Sequence, residues 1–374
     1  MALKIALSGF LTLMVAMGIG RFAFTPQVPL MISEHQLTLI SVGIVAALNY
    51  LGYLVGAFDA MRAKSGITLR LWGGVWGTVI LTLWSAIVGD VWGHGLIRFL
   101  AGWASGWAMV LVAAWTNESL AHYGKPALSA AVFAGPGAGI LISGMLAIGV
   151  QGMALNAAQA WLLYGGVALV VIVAVSRHLP RGGISIRQVV TTFEPLVLTR
   201  PLKRLVWSYS LAGFGYILPA TFLSQMAAER FPGSLFAQLV WPLFGGAAVL
   251  GIVIGITTRH LLTTHQRLAL MLWAQAIGIV CAVSFSNLSG LIIASLLVGG
   301  GFLAVVQLSL QYGRELAPLH VRYLAGLLTT GYAIGQLVGP LVSSLSTMLT
   351  HQLEPSLYIG MLALVAAGVL VWKA

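Results

Sequence analysis

Acidic residues are scarce in this chain: eight Asp and Glu stand against 19 Lys and Arg in 374 residues, and charged residues total only 7%. No acid lies in the interior of a long apolar segment. A water-soluble domain of this size needs a far more polar surface, so the shortage of charge excludes one. Cysteine is reduced to Cys281, which excludes a disulfide framework. Motifs for chemistry are missing as well. There is no phosphate-binding P-loop, no Gly-x-Ser-Gly nucleophile motif, and no pair of intramembrane acids or histidines for acid–base work. His260 and His265, five apart, lack metal-ligand spacing. An enzyme, a metal site and a cofactor are therefore not expected.

What the chain has in abundance is apolar sequence. Hydrophobic residues make up 59%, mean hydropathy is +0.97, and 45 glycines are scattered through the apolar runs. Such glycines suit close helix packing in lipid. Spanning a bilayer takes roughly 20 apolar residues. Twelve segments qualify: 5–31, 37–59, 68–89, 94–117, 126–150, 158–177, 203–228, 234–257, 268–286, 289–313, 322–348 and 355–372. The first carries Lys4 like a signal peptide, but it runs on past Arg21 to Met31 and reads as a spanning helix. The expectation is an all-α, multi-pass membrane protein with a bundle over 1–178, a linker over 179–202 and a second bundle over 203–374.

Orientation follows from Lys and Arg, which favour the cytoplasmic side. With the N-terminus inside, 16 of the 19 fall at inner termini, loops and helix ends: Lys4, Arg62, Lys64, Arg70, Lys125, Arg177, Arg181, Arg187, Arg200, Lys203, Arg204, Arg259, Arg267, Arg314, Arg322 and Lys373. Only Arg230 falls outside, while Arg21 and Arg98 lie within spans. Both termini are thus expected in the cytoplasm, with the chain in the cell inner membrane. The formal charge of +11 reports topology and not a nucleic-acid partner.

The two halves repeat. Gly18-Ile19-Gly20-Arg21 resembles Gly213-Phe214-Gly215-Tyr216 at an offset of 195, and Gly52 and Gly56 correspond to Gly251 and Gly255. Glu118 and Lys125 correspond to Glu315 and Arg322, and Gly135 and Gly139 to Gly331 and Gly335. Six spans is an even number, so the repeats are parallel, related by an axis along the membrane normal.

Two parallel six-helix halves with a basic inner linker resemble the major facilitator superfamily of secondary transporters. Arg98-Phe99-Leu100-Ala101-Gly102 resembles the family's helix-4 motif, and Gly135-Pro136-Gly137-Ala138-Gly139 the core of its helix-5 Gly-Pro motif. Glu118 to Lys125 and Glu315 to Arg322 resemble its Glu-x6-Arg inner pairs, and Gly56, Asp59 and Arg62 a degraded form of its glycine–aspartate–arginine loop. Met17 to Pro26 is similar to the signature of the YbfB/YjiJ-like branch. The resemblance implies the twelve-helix fold and alternating-access transport, and it brings no substrate with it.

An arginine in hydrocarbon costs about 2.5–3.5 kcal/mol on insertion scales, and no acid resides in the spans to offset it. Arg21 lies about 4–5 Å outward of its span's midpoint and Arg98 roughly 10 Å outward of its own, at 1.5 Å per residue. Guanidinium matches carboxylate or phosphate in two-pronged geometry, so one or both are candidates to bind an anionic substrate. The structural alternative is snorkelling, or pairing with Glu34 or Asp90.

A polar set accompanies them at helical spacing: Asn49 and Tyr53, Tyr209 and Tyr216, Gln307 and Gln311, Tyr332 and Gln336. Together with Arg21 it reads as a cavity between the halves; singly, each residue reads as an interhelical hydrogen bond. Asp59, Arg62, Glu118, Lys125, Glu315 and Arg322 are expected to form an inner gate latch. Coupling stays open among a boundary acid (Asp59, Glu34 or Asp90) carrying protons, a proton travelling with the substrate, and anion exchange. The expected function is secondary transport of a small organic anion by a single-chain monomer. The alternatives are a drug or metabolite exporter of the same superfamily, and a channel.

Overall fold

Inside a bilayer there is no water to satisfy the backbone, so each apolar segment closes its hydrogen bonds within itself as a helix. The computed structural model describes residues 1–125, 128–182, 197–258 and 260–373, without the side chains of 256, 319 and 321–323. Arg187, Arg259, the Arg322 side chain and most of the 179–202 linker lie outside the described residues. Among the described residues, twelve helices are long and apolar enough to cross a membrane. They are Ala2–Ser33 (span 1), Leu39–Arg62 (2), Ile67–Ile87 (3), Val91–His122 (4), Leu128–Gly152 (5), Ala157–Ser176 (6), Arg200–Arg230 (7), Leu235–Gly255 (8), Thr264–Ser284 (9), Leu288–Leu316 (10), Leu324–Thr350 (11) and Glu354–Trp372 (12). They correspond one to one with the apolar segments. Span 4 outruns its segment because Asn117 to His122, mostly exposed, stay helical.

Polar residues at the helix starts cap them. Thr38 and Ser41 form a capping box on span 2, Asn156 and Gln159 one on span 6, and Asp90 accepts from the amides of Trp92 and Gly93 on span 4. Spans 1–6 pack on one another, as do spans 7–12, and the two groups meet through span pairs 1 and 7, 2 and 11, and 5 and 8.

Glycine sets the distances. Gly18 backs directly onto Gly139 of span 5, and Gly135 onto the carbonyl of Phe10, so spans 1 and 5 touch backbone to backbone. The second half repeats the joint: Gly213 backs onto Tyr332 of span 11, and Gly335 onto Ser210 and Phe214 of span 7. Gly52 and Gly56 seat span 2 on Phe99 and Trp103 of span 4, and Gly251 seats span 8 on Gly300 of span 10. Gly255 departs from the repeat: among the described residues a Cβ there would meet no other helix. Gly137, between the two glycines that face span 1, faces Val249 and Gly245 of span 8 instead. The Gly-Pro segment therefore holds span 5 against its own half on one side and the other half on the opposite side.

Even-numbered crossing puts both termini on one face, which also carries nearly all the basic residues; it is called the basic face below. On the opposite face, Arg230 is paired with Glu354 at 3.4 Å and donates to the carbonyl of Ala282 at 2.6 Å.

Candidate functional site

Span 1 is not a continuous α-helix. Met14–Ile19 is a π-turn, and the chain then loosens over 20–23 before helix resumes at Phe24. Wide hydrogen bonds mark the turn, Gly20 N–H to Val15 O at 2.7 Å and Phe22 N–H to Met17 O at 3.1 Å. Pro26 and Pro29 supply no amide to draw the following turns tight. Such turns recur at functional sites in membranes because they aim side chains and free backbone groups. Here the loosened turn carries Arg21 and exposes the carbonyl of Gly20.

Arg21 is buried, with only 4% exposed. Its guanidinium carbon lies 4.0 Å from the ring centre of Tyr53, 4.8 Å from Tyr50 and 5.1 Å from Phe22. Rings hold a cation by their quadrupole and compensate only part of the lost hydration. Arg21 makes no ion pair with any described carboxylate: Nη2 donates to Gln336 Oε1 of span 11 at 3.0 Å, and Nε has no partner. Gln336 Nε2 in turn donates to the hydroxyl of Tyr216 in span 7. One carboxamide from the second half thus bridges the cation of the first half to a tyrosine of the second.

Around that bridge the second half supplies parallel rings. Tyr209 stacks on Tyr332 with centres 4.4 Å apart, Tyr332 on Tyr216 at 5.6 Å, and Tyr216 on Phe302 at 4.8 Å, all within 21° of parallel. Phe22 meets Phe302 edge-on at 5.7 Å. A cavity of about 10 Å³ borders Arg21, Asn49, Tyr50, Arg98 and Thr221, room for at most one water. The site is closed in this state.

Arg98 is 1% exposed and serves its own half. Nη1 donates to Gly20 O at 3.1 Å, Nη2 to Ser85 Oγ at 2.8 Å, and the guanidinium lies 4.7 Å from the Trp161 ring centre. It thereby ties spans 1, 3, 4 and 6 together. Neither arginine reaches Glu34 or Asp90. Glu34 accepts from Gln36 and from the amide of Ala157, and Asp90 caps span 4.

Of the polar set, Tyr53, Tyr209, Tyr216, Tyr332 and Gln336 join Arg21. Asn49 borders the small cavity, but its amide donates to the carbonyl of Arg98 at 2.7 Å, a span 2 to span 4 bond. Gln307 has a buried, unpartnered Oε1. Gln311 belongs elsewhere, donating to Thr264 and Glu315 near the basic face. Residue patterns alone passed over Tyr50, Phe22, Phe302 and Thr221. Tyr50 lies one turn from Tyr53, and Phe302 follows three consecutive glycines that let span 10 come close. Those were the available signals.

Among the described residues the pairs Asp59–Arg62 and Glu118–Lys125 of the expected latch are not formed, while the Arg322 side chain lies outside those residues. Asp59 pairs with Arg70, not Arg62, at 2.7 Å, and accepts from Trp107 Nε1 at 2.6 Å, all within the first half. Arg62 instead lies over the ring of Phe58 at 4.1 Å. Glu118 and Lys125 are exposed and make no ion pair with each other. Glu315 accepts from Thr264 at 2.7 Å within the second half. Asp59 is already held by Arg70 and Trp107 and Glu315 by Thr264 and Gln311, each within its own half, so neither carboxylate is free to reach across.

Among the described residues, the side-chain hydrogen bonds between the halves lie at Arg21 or beyond it toward the opposite face. Thr25 Oγ1 donates to Ala220 O at 3.0 Å, Ser344 Oγ to Ile40 O at 2.8 Å, and Trp241 Nε1 to Ser143 Oγ at 3.3 Å. Beyond these, at the opposite face, spans 1, 5, 7 and 8 enclose a cavity of about 270 Å³ lined by Pro29, Gln151, Ser224, Gln238 and Trp241 among others.

Known folds show the same architecture. Two crystal structures of the nucleoside transporter NupG superpose with a TM-score of 0.72 each. One, of a mutant, is 12% identical, with 99% of this chain and 98% of that chain covered; the other is 13% identical, with 100% and 97% covered. At this identity the likeness concerns the fold alone. No curated protein matches in sequence. A family model described as "Uncharacterised MFS-type transporter YbfB" matches residues 13–372. Nearly the whole chain is accounted for by that match, and the protein belongs to this family of multi-pass MFS transporters and is not an enzyme.

Proposed function

We propose that the protein is a secondary active transporter that carries a small organic anion through the Arg21 site by alternating access. One observation carries the reading: a buried cation of the first half that pairs with no described carboxylate and reaches across to the neutral carboxamide of Gln336 in the second. A substrate carboxylate offers Arg21 a stronger, charge-assisted bond than an amide does. Ligand binding at that point engages both halves at once, and rocking of the halves about it exposes the site to either side.

On this reading the basic face is cytoplasmic, the membrane is the inner membrane, and the state described is closed toward the outside. Reversal would part Thr25 from Ala220 and Ile40 from Ser344 and bring spans 4 and 10 together. Glu118, Lys125, Glu315 and Arg322 are then positioned to meet as the latch. Asp59, Glu34 and Asp90 are each engaged in structural bonds. Exchange of anions, or a proton carried on the substrate, therefore suits the site better than a resident proton carrier.

A second reading comes from NupG, a nucleoside transporter of the same fold. Stacked rings and a carboxamide also suit a neutral base. Counterflow in proteoliposomes separates the two. Uptake that saturates, is competed by small carboxylates and is lost in Arg21→Ala supports the anion; competition by uridine and not by carboxylates overturns it.

A further inference from the structure

The rings around Arg21 continue beyond the site. Trp241, in the wall of the 270 Å³ cavity, stacks on Phe244 at 5.1 Å and 18°, and Phe244 leans on Phe302 at 6.2 Å. Phe302 then begins the stack through Tyr216 and Tyr332 to Tyr209. Six rings from spans 7, 8, 10 and 11 form one ladder from the opposite-face cavity past the buried cation, and every one belongs to the second half.

A packing role alone does not account for the ladder's composition. Helices in lipid pack economically with small residues, and a buried tyrosine brings a hydroxyl that has to be partnered. Three of the six rings are tyrosines set deep between the halves. Ser224 Oγ and Gln238 Oε1, in the cavity wall, are also buried without partners.

The geometry of Gln336 narrows the polar end. Its carboxamide is a planar group with two heteroatoms, one accepting from Arg21 and the other against the hydroxyl of Tyr216. A carboxylate has that shape. It can accept from Arg21 with one oxygen and from Tyr216 with the other, which a tetrahedral phosphate matches less well.

From these two observations, and resting on the anion reading above, we infer that the substrate is a planar aromatic carboxylate. Its carboxylate takes the place of the Gln336 amide on Arg21. Its ring lies against the second-half ladder, with the opposite-face cavity as the access end. The carboxylate then reaches both halves through Arg21 and Tyr216 and the ring adds contact with the second, so a ligand with both features is held more tightly than a ligand with one.

Calorimetric binding to the purified full chain in nanodiscs tests this with four probes: benzoate, 2-naphthoate, cyclohexanecarboxylate and benzamide, with uridine as a fifth arm. At least one aromatic carboxylate should bind about tenfold more tightly than cyclohexanecarboxylate, the saturated ring of like charge and size. Benzamide should not bind, and Arg21→Ala should bind none of the acids. Phe302→Leu and Tyr216→Leu, each checked for folding by thermal melting, should lose most of the preference for aromatic over saturated acid. Equal binding of benzoate and cyclohexanecarboxylate, with both lost in Arg21→Ala, overturns the aromatic inference and leaves the anion reading standing. Binding of uridine or benzamide but of no acid overturns both. Failure of both aromatic acids to bind the folded protein overturns the inference as well.

Discussion

Arg21 and Tyr216 occupy equivalent places in the two halves, and they meet on the two heteroatoms of one carboxamide, that of Gln336. The same relation holds one turn on, where Thr25 bonds to Ala220, its own repeat mate 195 residues away. The pseudo-two-fold axis therefore passes between spans 1 and 7, and the asymmetry of the pair lies on it: a cation on one side and a phenol on the other. Under the proposed function, that asymmetry favours a single polar ligand in one orientation.

Gln336→Glu would place a resident carboxylate on Arg21. A fixed ion pair fills the anion's position, so substrate binding should fall at least about tenfold, while Gln336→Ala should retain it. Breaking or forming charge-assisted bonds of this kind shifts stability by about 1.5–3 kcal/mol, so the Glu variant should melt no lower than the parent. Counterflow and detergent melting curves check both.

Arg98→Ala should act on folding and not on recognition. It leaves Gly20 O and Ser85 Oγ without their buried donors, at a cost on the order of 1–3 kcal/mol each. The melting temperature should drop clearly, while the folded fraction binds substrate with little change in affinity.

Gly18→Val and Gly139→Val should prevent the folded state, since a side chain at either position runs into the facing backbone. Gly166→Ala, in span 6 with open space around it, should change stability by no more than about 0.5–1 kcal/mol. Yield of monodisperse protein on size-exclusion chromatography distinguishes the two classes.

Gly43→Cys with Ser344→Cys should lock the opposite face. A Cβ at Gly43 would stand 3.3 Å from that of Ser344 and 2.5 Å from the Pro340 carbonyl, so spans 2 and 11 have to part slightly, toward the separation of about 3.5–4.5 Å between Cβ atoms that a disulfide adopts. With Cys281→Ser to remove the natural thiol, oxidation should stop counterflow and reduction should restore it. Undiminished transport by the cross-linked protein would show that this contact does not open in the cycle.

The Asp59–Arg70 pair is about one-third exposed on each side, so solvent screens it and Asp59→Asn should cost under about 1 kcal/mol. Loss of transport without loss of melting temperature in that variant would indicate a role in the conformational change.

The linear chain was enough to establish the number of spans, the segregation of basic residues and the parallel repeat. Those properties depend on the hydropathy of about 20 consecutive residues and on charges in short loops, which are local. The glycine correspondences were legible too, because backbone contact leaves no side chain that could take the place of Gly18, Gly139 or Gly335. Other decisions required the halves to be assembled. Arg21 and Arg98 look alike as lone cations in apolar runs, yet one faces Gln336 across the interface and the other is spent on Gly20 and Ser85 within its own half. Asp59 sits three residues from Arg62 on one helix, yet its partner is Arg70, brought back by the turn into span 3. Rings on spans 7, 8, 10 and 11 form a ladder only because glycines let those helices approach. Hydropathy and charge act along the chain, whereas the partner of a buried charge is chosen by whatever packing brings within 3 Å of it, and that is settled only in three dimensions.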